Sequence, residues 1–268
     1  MNRIEVQGHR GARWARPENT LPAFKYALDA KVDTLELDTL VTKDDQVVVV
    51  HDPILNPEIC LDQHGHQIAG SIKVRDLTLA ELKKFDCGSK THPKFKHQVS
   101  VPRTTIPTLD EFFLYVAQHP HGKLVKFNIE AKSEEDHPEY APSPKDFSRL
   151  LLALIKKYDA QKRTTLQSFD HRILKAIRDQ DPEITLSALI EHRPEENLAV
   201  MAKRLKTQIV SPDYQWLTKQ DIDDLHKAGV RCIPWTLNNP KDWDKFISLG
   251  VDGIITDNPK DLLLKLGR

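Results

Sequence analysis

Residues 219–256 read KQDIDDLHKAGVRCIPWTLNNPKDWDKFISLGVDGIIT. The stretch holds a helix-like run, a glycine and an apolar strand-like run, and it then repeats the same unit. The glycines at the two junctions, Gly229 and Gly250, can take the left-handed conformation that ends a helix. The stretch therefore predicts amphipathic helices that alternate with buried strands.

The same alternation extends over most of the chain. Apolar runs predict strands at 6–9, 34–38, 47–51, 124–130, 164–167, 184–189, 208–211, 231–235 and 253–256. Helical spacing predicts helices at 21–30, behind Thr20 as N-cap, and at 145–157, 171–178, 196–205, 219–227, 240–248 and 259–266. Strands alternating with helices indicate a parallel sheet covered on both faces, and eight such repeats predict a closed (β/α)8 TIM barrel.

The composition fits one globular domain and excludes several classes of partner. The chain has 268 residues, 39% hydrophobic and 29% charged, so a single barrel domain over residues 1–268 is expected. Its 39 basic and 39 acidic residues cancel, which leaves no overall charge for nucleic acid or an anionic membrane. The apolar runs at 47–50 and 150–155 are far shorter than the roughly 20 residues of a membrane span. We expect a small-molecule substrate, no nucleic acid and no stable membrane association; no pattern specifies an oligomeric state.

The N-terminus and the cysteines bear on the cellular compartment. The first ten residues, MNRIEVQGHR, are polar and lack the apolar stretch of a signal peptide, which favours the cytoplasm. An exported protein whose leader has been removed is the alternative. Cys232 lies in a strand-like run and is expected to be a buried thiol. Cys60 and Cys87 lie in one irregular segment and could pair if the protein is exported.

One segment interrupts the alternation. Residues 53–107 are rich in Pro, Gly, His and Lys and contain one convincing helix, at 78–85. A loop of this length inside a compact fold is usually functional. We therefore expect an insertion on the catalytic face of the barrel.

Acidic side chains cluster at the ends of two predicted strands. Glu36 and Asp38 are two residues apart, so both side chains leave the same face of their strand, and Glu130 and Lys132 repeat this geometry. The carboxyl ends of barrel strands are where barrel enzymes place their sites. Three converging carboxylates would bind a hard divalent cation such as Mg²⁺ or Ca²⁺ rather than zinc. The alternative is that these carboxylates pair with lysine and arginine.

Two histidines also stand at strand ends. His9 precedes Arg10 and closes the first strand, and His51 precedes Asp52 and closes another. A single histidine is more often structural, but a pair beside an arginine and three carboxylates fits acid–base catalysis on a phosphate ester. Arg10 could hold a phosphate oxygen through its planar guanidinium.

The order of these motifs resembles that of the glycerophosphodiester phosphodiesterases. The resemblance covers nearly the whole chain and rests on GHRG at 8–11, RPENT at 16–20, LELD at 35–38, HD at 51–52, NIEAK at 128–132, QSF at 167–169, WTLN at 235–238 and DGIITDNP at 252–259. Two departures are visible. Lys31 stands where the family usually has glycine, and Asp44-Asp45 stands where it usually has an Asp-Gly turn.

The resemblance implies a TIM barrel with an insertion after the second barrel strand, here residues 53–107. It implies hydrolysis of glycerophosphodiesters to glycerol 3-phosphate and an alcohol through a cyclic phosphate. The residues it assigns are the acid–base pair His9 and His51; the cation ligands Glu36, Asp38 and Glu130, for Mg²⁺, Ca²⁺ or Mn²⁺; the phosphate-binding Arg10 and Lys132; and Gln167 and Trp235 as pocket lining.

Two other functions are compatible with a barrel of this kind. A phospholipase D-type lyase would act on intact lipids and stop at the cyclic phosphate, but it would need an apolar rim. The insertion instead carries basic residues such as Lys94 and Lys96. A catalytically silent binding barrel would have lost a histidine or carboxylate, and this chain has lost none.

Overall fold

The computed structural model describes residues 3–268. Nine strands are present: β1 (Glu5–Gly8), β2 (Thr34–Val41), β3 (Val47–Val49), β4 (Lys126–Ala131), β5 (Thr164–Ser168), β6 (Thr185–Ile190), β7 (Ile209–Pro212), β8 (Arg231–Cys232) and β9 (Gly253–Thr256). They are joined by α1 (Leu21–Asp29), α2 (Leu79–Leu82), α3 (Leu109–Gln118), α4 (Pro144–Lys157), α5 (His171–Gln180), α6 (Leu198–Leu205), α7 (Lys219–Lys227), α8 (Pro240–Leu249) and α9 (Pro259–Lys265). None of the helices in the described part of the chain is long and apolar enough to cross a membrane.

Eight of the strands form one parallel barrel. The neighbouring order is β8-β7-β6-β5-β4-β2-β1-β9. Backbone hydrogen bonds from Asp252 N to Cys232 O (2.9 Å) and from Ile255 N to Pro234 O (3.1 Å) join the last strand to the β8 segment and close the ring. The predicted TIM-barrel fold is confirmed.

The core lies between the strands and the helices that cover them. All eight residues of β2 are buried, as expected for a parallel strand covered on both faces. Phe112 on α3 packs edge-on against Phe24 on α1 and Phe127 on β4, with ring centroids 4.7 and 5.6 Å apart. The N-cap Thr20 accepts a hydrogen bond from Ala23 N, as predicted.

Two predicted strands differ in detail from the structure, and one helix was not predicted. The run at 47–51 is a short strand, β3, which pairs antiparallel with β2 and lies outside the barrel. Helix α3 was not predicted, although Thr108 and Glu111 form a capping box at its start, a signal visible in the sequence. The run at 231–235 gives a strand of only two residues because Pro234 has no N–H to donate to the ladder.

Lys31 occupies a position that favours glycine. Its φ is +61°, close to the +73° and +88° of Gly229 and Gly250 at the corresponding junctions. Asp45, where an Asp-Gly turn was expected, has a φ of +57°. Lys31 and Asp45, which replace the glycines of the family pattern, therefore both adopt the left-handed backbone conformation that glycine would adopt more easily.

Residues 53–107 have a small core of their own. Side chains that include Leu55, Ile68, Val74 and Leu82 pack against Leu40 on β2 and Val48 on β3. A disulfide joins Cys60 and Cys87, 27 residues apart. The segment thus combines a covalent link with an apolar cluster, which explains how a stretch with so little regular structure is held against the barrel. Cys232 is a buried free thiol, as predicted.

Candidate active site

The acidic residues of β2 and β4 meet inside the barrel mouth. Glu36 and Asp38 are two residues apart, so their side chains lie on the same face of β2. The strand register places Asp38 beside Glu130. All three are buried, with relative exposures of 2%, 1% and 6%. One carboxylate oxygen from each lies within 4.8 Å of the other two. The predicted carboxylate cluster is therefore formed in the fold.

The three carboxylates do not carry equal charge. Burial, together with the negative charges of Asp38 and Glu130, raises the pKa of Glu36 well above its ordinary range. Burial alone would also raise the pKa of Asp38, but Arg10 and nearby cations hold it well below its ordinary range. One of those cations is Lys132, whose Nζ lies 3.5 Å from Asp38 Oδ1 and 2.7 Å from Glu130 Oε1. Asp38 and Glu130 thus have ion-pair partners among the described residues, whereas Glu36 has none.

This donor set fits a hard divalent cation. Carboxylate oxygens are the ligands that Mg²⁺ and Ca²⁺ prefer, at about 2.0 to 2.6 Å from the ion. The three oxygens lie within 4.8 Å of one another, so small side-chain adjustments would bring them onto one ion. A bound cation would also relieve the repulsion that raises the pKa of Glu36. The Glu36 carboxylate is held in place by Gln167, whose Nε2 donates to Glu36 Oε1 at 3.0 Å.

His9 stands at the end of β1 and is held by a carboxylate from β9. Its Nδ1 lies 2.6 Å from Asp257 Oδ1, and Asn238 Nδ2 donates to Asp257 Oδ2 at 2.6 Å. Holding Nδ1 in this way leaves Nε2 as the ring nitrogen for a substrate. Burial lowers the pKa of His9, although the charge of Asp257 opposes the change. The imidazole is therefore favoured in its neutral form at neutral pH.

His51 follows β3 and has the same kind of partner. Its Nδ1 lies 2.6 Å from Asp52 Oδ1, and Asn56 Nδ2 donates to Asp52 Oδ2 at 3.0 Å. The His51 side chain is 30% exposed, against 14% for His9. The site thus has two histidine–carboxylate–asparagine chains, one sheltered and one more open to solvent.

Arg10 links the two halves of the site. Its backbone N donates to Glu36 Oε2 at 2.8 Å, and its guanidinium contacts Glu18 at 2.5 Å and Asp38 at 3.2 Å. Asn19 Nδ2 donates to Asp38 Oδ2 at 2.8 Å. The RPENT segment therefore supplies Glu18 and Asn19 as fixed partners for the arginine and for an acidic residue.

All nine residues predicted for the site line one cavity of about 210 Å³: His9, Arg10, Glu36, Asp38, His51, Glu130, Lys132, Gln167 and Trp235. Trp235 forms a side wall, with Nε1 donating to Ser211 O at 2.8 Å and its ring edge-on to Phe169 at 5.5 Å. The fold brings these residues together; the chemical role of each stays a prediction.

Several residues of the site were not predicted. Asp52 and Asp257 hold the histidines, and Glu18 and Asn238 hold Arg10 and Asp257. Asp52 could have been found, because it directly follows His51. Asp257 stands at the end of β9, the same rim position that singled out the other acids, and this signal could have identified it.

An eight-stranded barrel whose rim carries two histidines and three buried carboxylates has the arrangement of a barrel enzyme with its site at the carboxyl ends of the strands. The profile of the glycerophosphoryl diester phosphodiesterase family matches residues 9–261. A glycerophosphodiester phosphodiesterase from Caldanaerobacter subterraneus is 33% identical over 96% of this chain and 96% of its own. The chain belongs to this family and is a phosphodiesterase.

Other comparisons agree on the fold and widen the range of relatives. A crystal structure from Silicibacter pomeroyi DSS-3, provisionally assigned to the same family, superposes with a TM-score of 0.92 at 29% identity and covers 99% of this chain and 95% of its own. A human lysophospholipase D is 25% identical over 97% of this chain and 84% of its own.

Proposed function

We propose that this phosphodiesterase hydrolyses small glycerophosphodiesters to glycerol 3-phosphate and an alcohol, by acid–base catalysis shared between His9 and His51. The observation that supports the proposal is the pair of carboxylate-held imidazoles that line one cavity together with Glu36, Asp38 and Glu130. In-line displacement at phosphorus needs a base for the nucleophile and an acid for the leaving oxygen. Two histidines held at Nδ1 can perform both tasks.

Glu36, Asp38 and Glu130 would hold a divalent cation, Mg²⁺, Ca²⁺ or Mn²⁺. When bound, the cation lowers the pKa of the glycerol hydroxyl and neutralises negative charge on the phosphate. Gln167 keeps Glu36 in place through its hydrogen bond to Oε1. We expect loss of this bond to weaken cation binding without moving the histidines.

In the first step, the oxygen of the glycerol 2-hydroxyl attacks phosphorus while one imidazole accepts the hydroxyl proton. The bond from phosphorus to the alcohol oxygen breaks, and the second imidazole, protonated, gives its proton to that oxygen. The alcohol leaves and a cyclic phosphate remains. In the second step, water attacks the cyclic phosphate with the two roles exchanged, so both histidines return to their starting states and glycerol 3-phosphate is released.

The phosphate would be bound by cations that already lie at the rim. Arg10 presents a planar guanidinium whose position is fixed by Glu18. Lys132 Nζ lies beside Glu130 and 5.8 Å from the centre of the Phe169 ring, at the edge of the cavity. Trp235 and Phe169 would form the apolar wall against which the alcohol part of the substrate lies.

The chain is best described as one barrel domain over residues 1–268, with residues 53–107 inserted after the second barrel strand. The insertion reaches the site because Gln98 Nε2 donates to Arg13 O at 2.6 Å. The disulfide favours an exported protein over a cytoplasmic one, since such bonds persist in oxidising compartments.

A lysophospholipid is the second candidate substrate, because one relative is named lysophospholipase D. An acyl chain would need a continuous apolar surface beside the cavity. Among the large hydrophobic side chains exposed in residues 3–268, Phe169 borders the cavity, whereas Val99, Leu114, Leu124, Val200 and Leu264 do not line it. The structure therefore supports a water-soluble diester more than a lipid.

The test is turnover of matched diesters with choline, ethanolamine, glycerol and inositol head groups, and of lysophosphatidylcholine. Released glycerol 3-phosphate, or lysophosphatidic acid from the lipid, is measured with Mg²⁺ present. We expect turnover of the water-soluble diesters at rates well above the lipid. His51→Ala is the inactive control. Turnover of the lipid alone would replace the proposed substrate, and turnover of none would contradict the proposal.

A further inference from the structure

Arg13 lies in the loop after β1 and lines the same cavity as Arg10 and Lys132. The latter two are closely engaged, since Arg10 contacts Glu18 at 2.5 Å and Lys132 contacts Glu130 at 2.7 Å. Arg13 has only longer contacts, with Nε 3.3 Å from Asp257 and NH1 3.6 Å from Glu18. It is therefore the least engaged of the cations that line the cavity.

Arg13 has only these long contacts although its side chain is mostly buried. Its side chain is 15% exposed, and its Nε, like that of Arg10, is buried with no hydrogen-bond partner among residues 3–268. Guanidinium groups offer five N–H donors in a rigid fork, and buried donors are normally satisfied. A guanidinium that lines a cavity and has unpaired N–H donors can donate hydrogen bonds to an anionic oxygen of a ligand.

The insertion holds Arg13 in this position. The Arg13 guanidinium lies over the ring of Phe95, 4.8 Å from its centre. Gln98 Nε2 donates to the backbone oxygens of Arg13 and Arg16, at 2.6 and 3.0 Å. Both Phe95 and Gln98 are buried, at 7% and 6% exposure. Phe95 and Gln98 of the insertion therefore hold the loop that carries Arg13 in place.

The position beside His9 indicates which anion Arg13 would bind. Asp257 Oδ1 contacts both His9 Nδ1, at 2.6 Å, and Arg13 Nε, at 3.3 Å. The guanidinium and the imidazole therefore flank one carboxylate. Since both residues also line the same cavity, an anionic oxygen bound to Arg13 would lie on the His9 side of that cavity, where the proposed mechanism needs the reacting phosphate.

We propose that Arg13 is a second substrate-binding arginine, which donates to a non-bridging oxygen of the reacting phosphodiester and is held for this purpose by Phe95 and Gln98 of the insertion. The proposal rests on the proposed function for its substrate. It gives the insertion a part in binding the phosphate that every substrate of the reaction shares.

The test compares Arg13→Met with Arg16→Met. Arg16 is in the same loop, but its guanidinium lies over Tyr26, 5.3 Å from the ring centre, and donates to Ala15 O. We expect Arg13→Met to lower kcat/KM by roughly 10- to 100-fold on choline and glycerol diesters alike, since it removes a charged hydrogen bond to a shared group. Arg16→Met should match the wild type. Arg13→Lys should restore part of the loss, and Phe95→Leu should raise KM more than it lowers kcat.

Calorimetric binding of inorganic phosphate, with Mg²⁺ present, gives a readout that does not depend on turnover. We expect Arg13→Met to weaken phosphate binding by a similar factor, with an unchanged thermal midpoint as evidence of folding. Unchanged phosphate binding and kcat/KM would overturn the proposal, as would a loss confined to one head group or an equal loss in Arg16→Met. A wild type that binds phosphate through Arg13 but hydrolyses no diester would contradict the proposed function alone.

Discussion

Asp257→Asn is the substitution for which the structure gives the sharpest expectation. Asp257 accepts from two strong donors, His9 Nδ1 and Asn238 Nδ2, each at 2.6 Å, and lies 3.3 Å from Arg13 Nε. Asparagine has one acceptor oxygen in place of two and adds an NH₂ group. Whichever way its amide is turned, a donor then faces His9 or Asn238. The imidazole loses its fixed tautomer or the carboxylate position loses its support.

The pKa of Asp257 sets the scale of the effect. Burial alone would raise this pKa, but His9, Arg13 and Asn238 together lower it from 3.8 to about 2. The difference corresponds to about 2 kcal/mol of favourable interaction with the ionised carboxylate. The carboxylate also stabilises the imidazolium that forms when His9 accepts a proton, so loss of an interaction of this size predicts at least about a 30-fold fall in kcat. Positioned acid–base catalysis as a whole is worth about 10² to 10⁴, so the loss should lie in this range with KM little changed.

Asp252→Asn is the matched control. Asp252 precedes β9 as Asp257 follows it, and its Oδ2 accepts from His226 Nε2 at 2.9 Å and from Cys232 N at 2.7 Å. The same chemical change is thus made at a histidine–carboxylate pair that does not line the catalytic cavity. Initial rates on glycerophosphocholine should fall in Asp257→Asn and not in Asp252→Asn. Equal kcat in Asp257→Asn and wild type would refute the role assigned to the carboxylate.

The same pair predicts a pH dependence of stability. Because the folded pKa of Asp257 is below its ordinary 3.8, its contribution is complete above that pH and is lost as the pH falls through about 2. Between pH 5 and pH 2 the wild type should lose about 2 kcal/mol more free energy of unfolding than Asp257→Asn. Denaturant unfolding at several pH values measures this, and parallel curves would contradict it.

The remaining predictions concern the cation, the histidines and the disulfide. Glu36→Gln removes a charge at almost constant volume, so calorimetric Mg²⁺ affinity should fall at least about tenfold with an unchanged circular dichroism spectrum; unchanged affinity would contradict the ligand set. His9→Ala and His51→Ala should each lower kcat by about 10² to 10⁴, and one of them should largely retain turnover of a nitrophenyl ester, whose leaving group needs no proton. Equal losses on both esters in both variants would contradict the acid–base pair. Loss of the Cys60–Cys87 bond, which spans 27 residues, should destabilise the protein by about 3.5 kcal/mol on chain-entropy grounds. Alkylation of all three cysteines in denaturant without reductant would contradict the pairing.

The barrel could be predicted because its signal is local and repeated. Each unit carries its own apolar strand and amphipathic helix, and the carboxyl ends of parallel strands meet at one rim. Glu36, Asp38 and Glu130 could therefore be placed together although 92 residues separate Asp38 from Glu130 in the chain. The strand at 47–51 was misplaced because an antiparallel strand beside β2 has the same apolar pattern as a barrel strand.

The partners of the site residues were harder to predict because they depend on contacts between distant segments. Asp257 meets His9 across 248 positions of the chain, and only closure of the barrel brings them together. Phe95 meets Arg13 through an insertion whose fold has no periodic pattern. The pairing of Cys60 with Cys87 was left open for the same reason, since it requires Cα positions that spacing does not supply.

Cation-assisted hydrolysis of a glycerophosphodiester is tested most directly by ³¹P spectroscopy of glycerophosphocholine with the metal-stripped enzyme, before and after Mg²⁺, Ca²⁺ or Mn²⁺ is added. We predict no change before addition. After addition of a suitable ion, the diester resonance should disappear and the glycerol 3-phosphate resonance should grow, with a cyclic phosphate as a transient. Conversion at an equal rate in excess chelator, or no conversion with any of the three ions, would contradict the account.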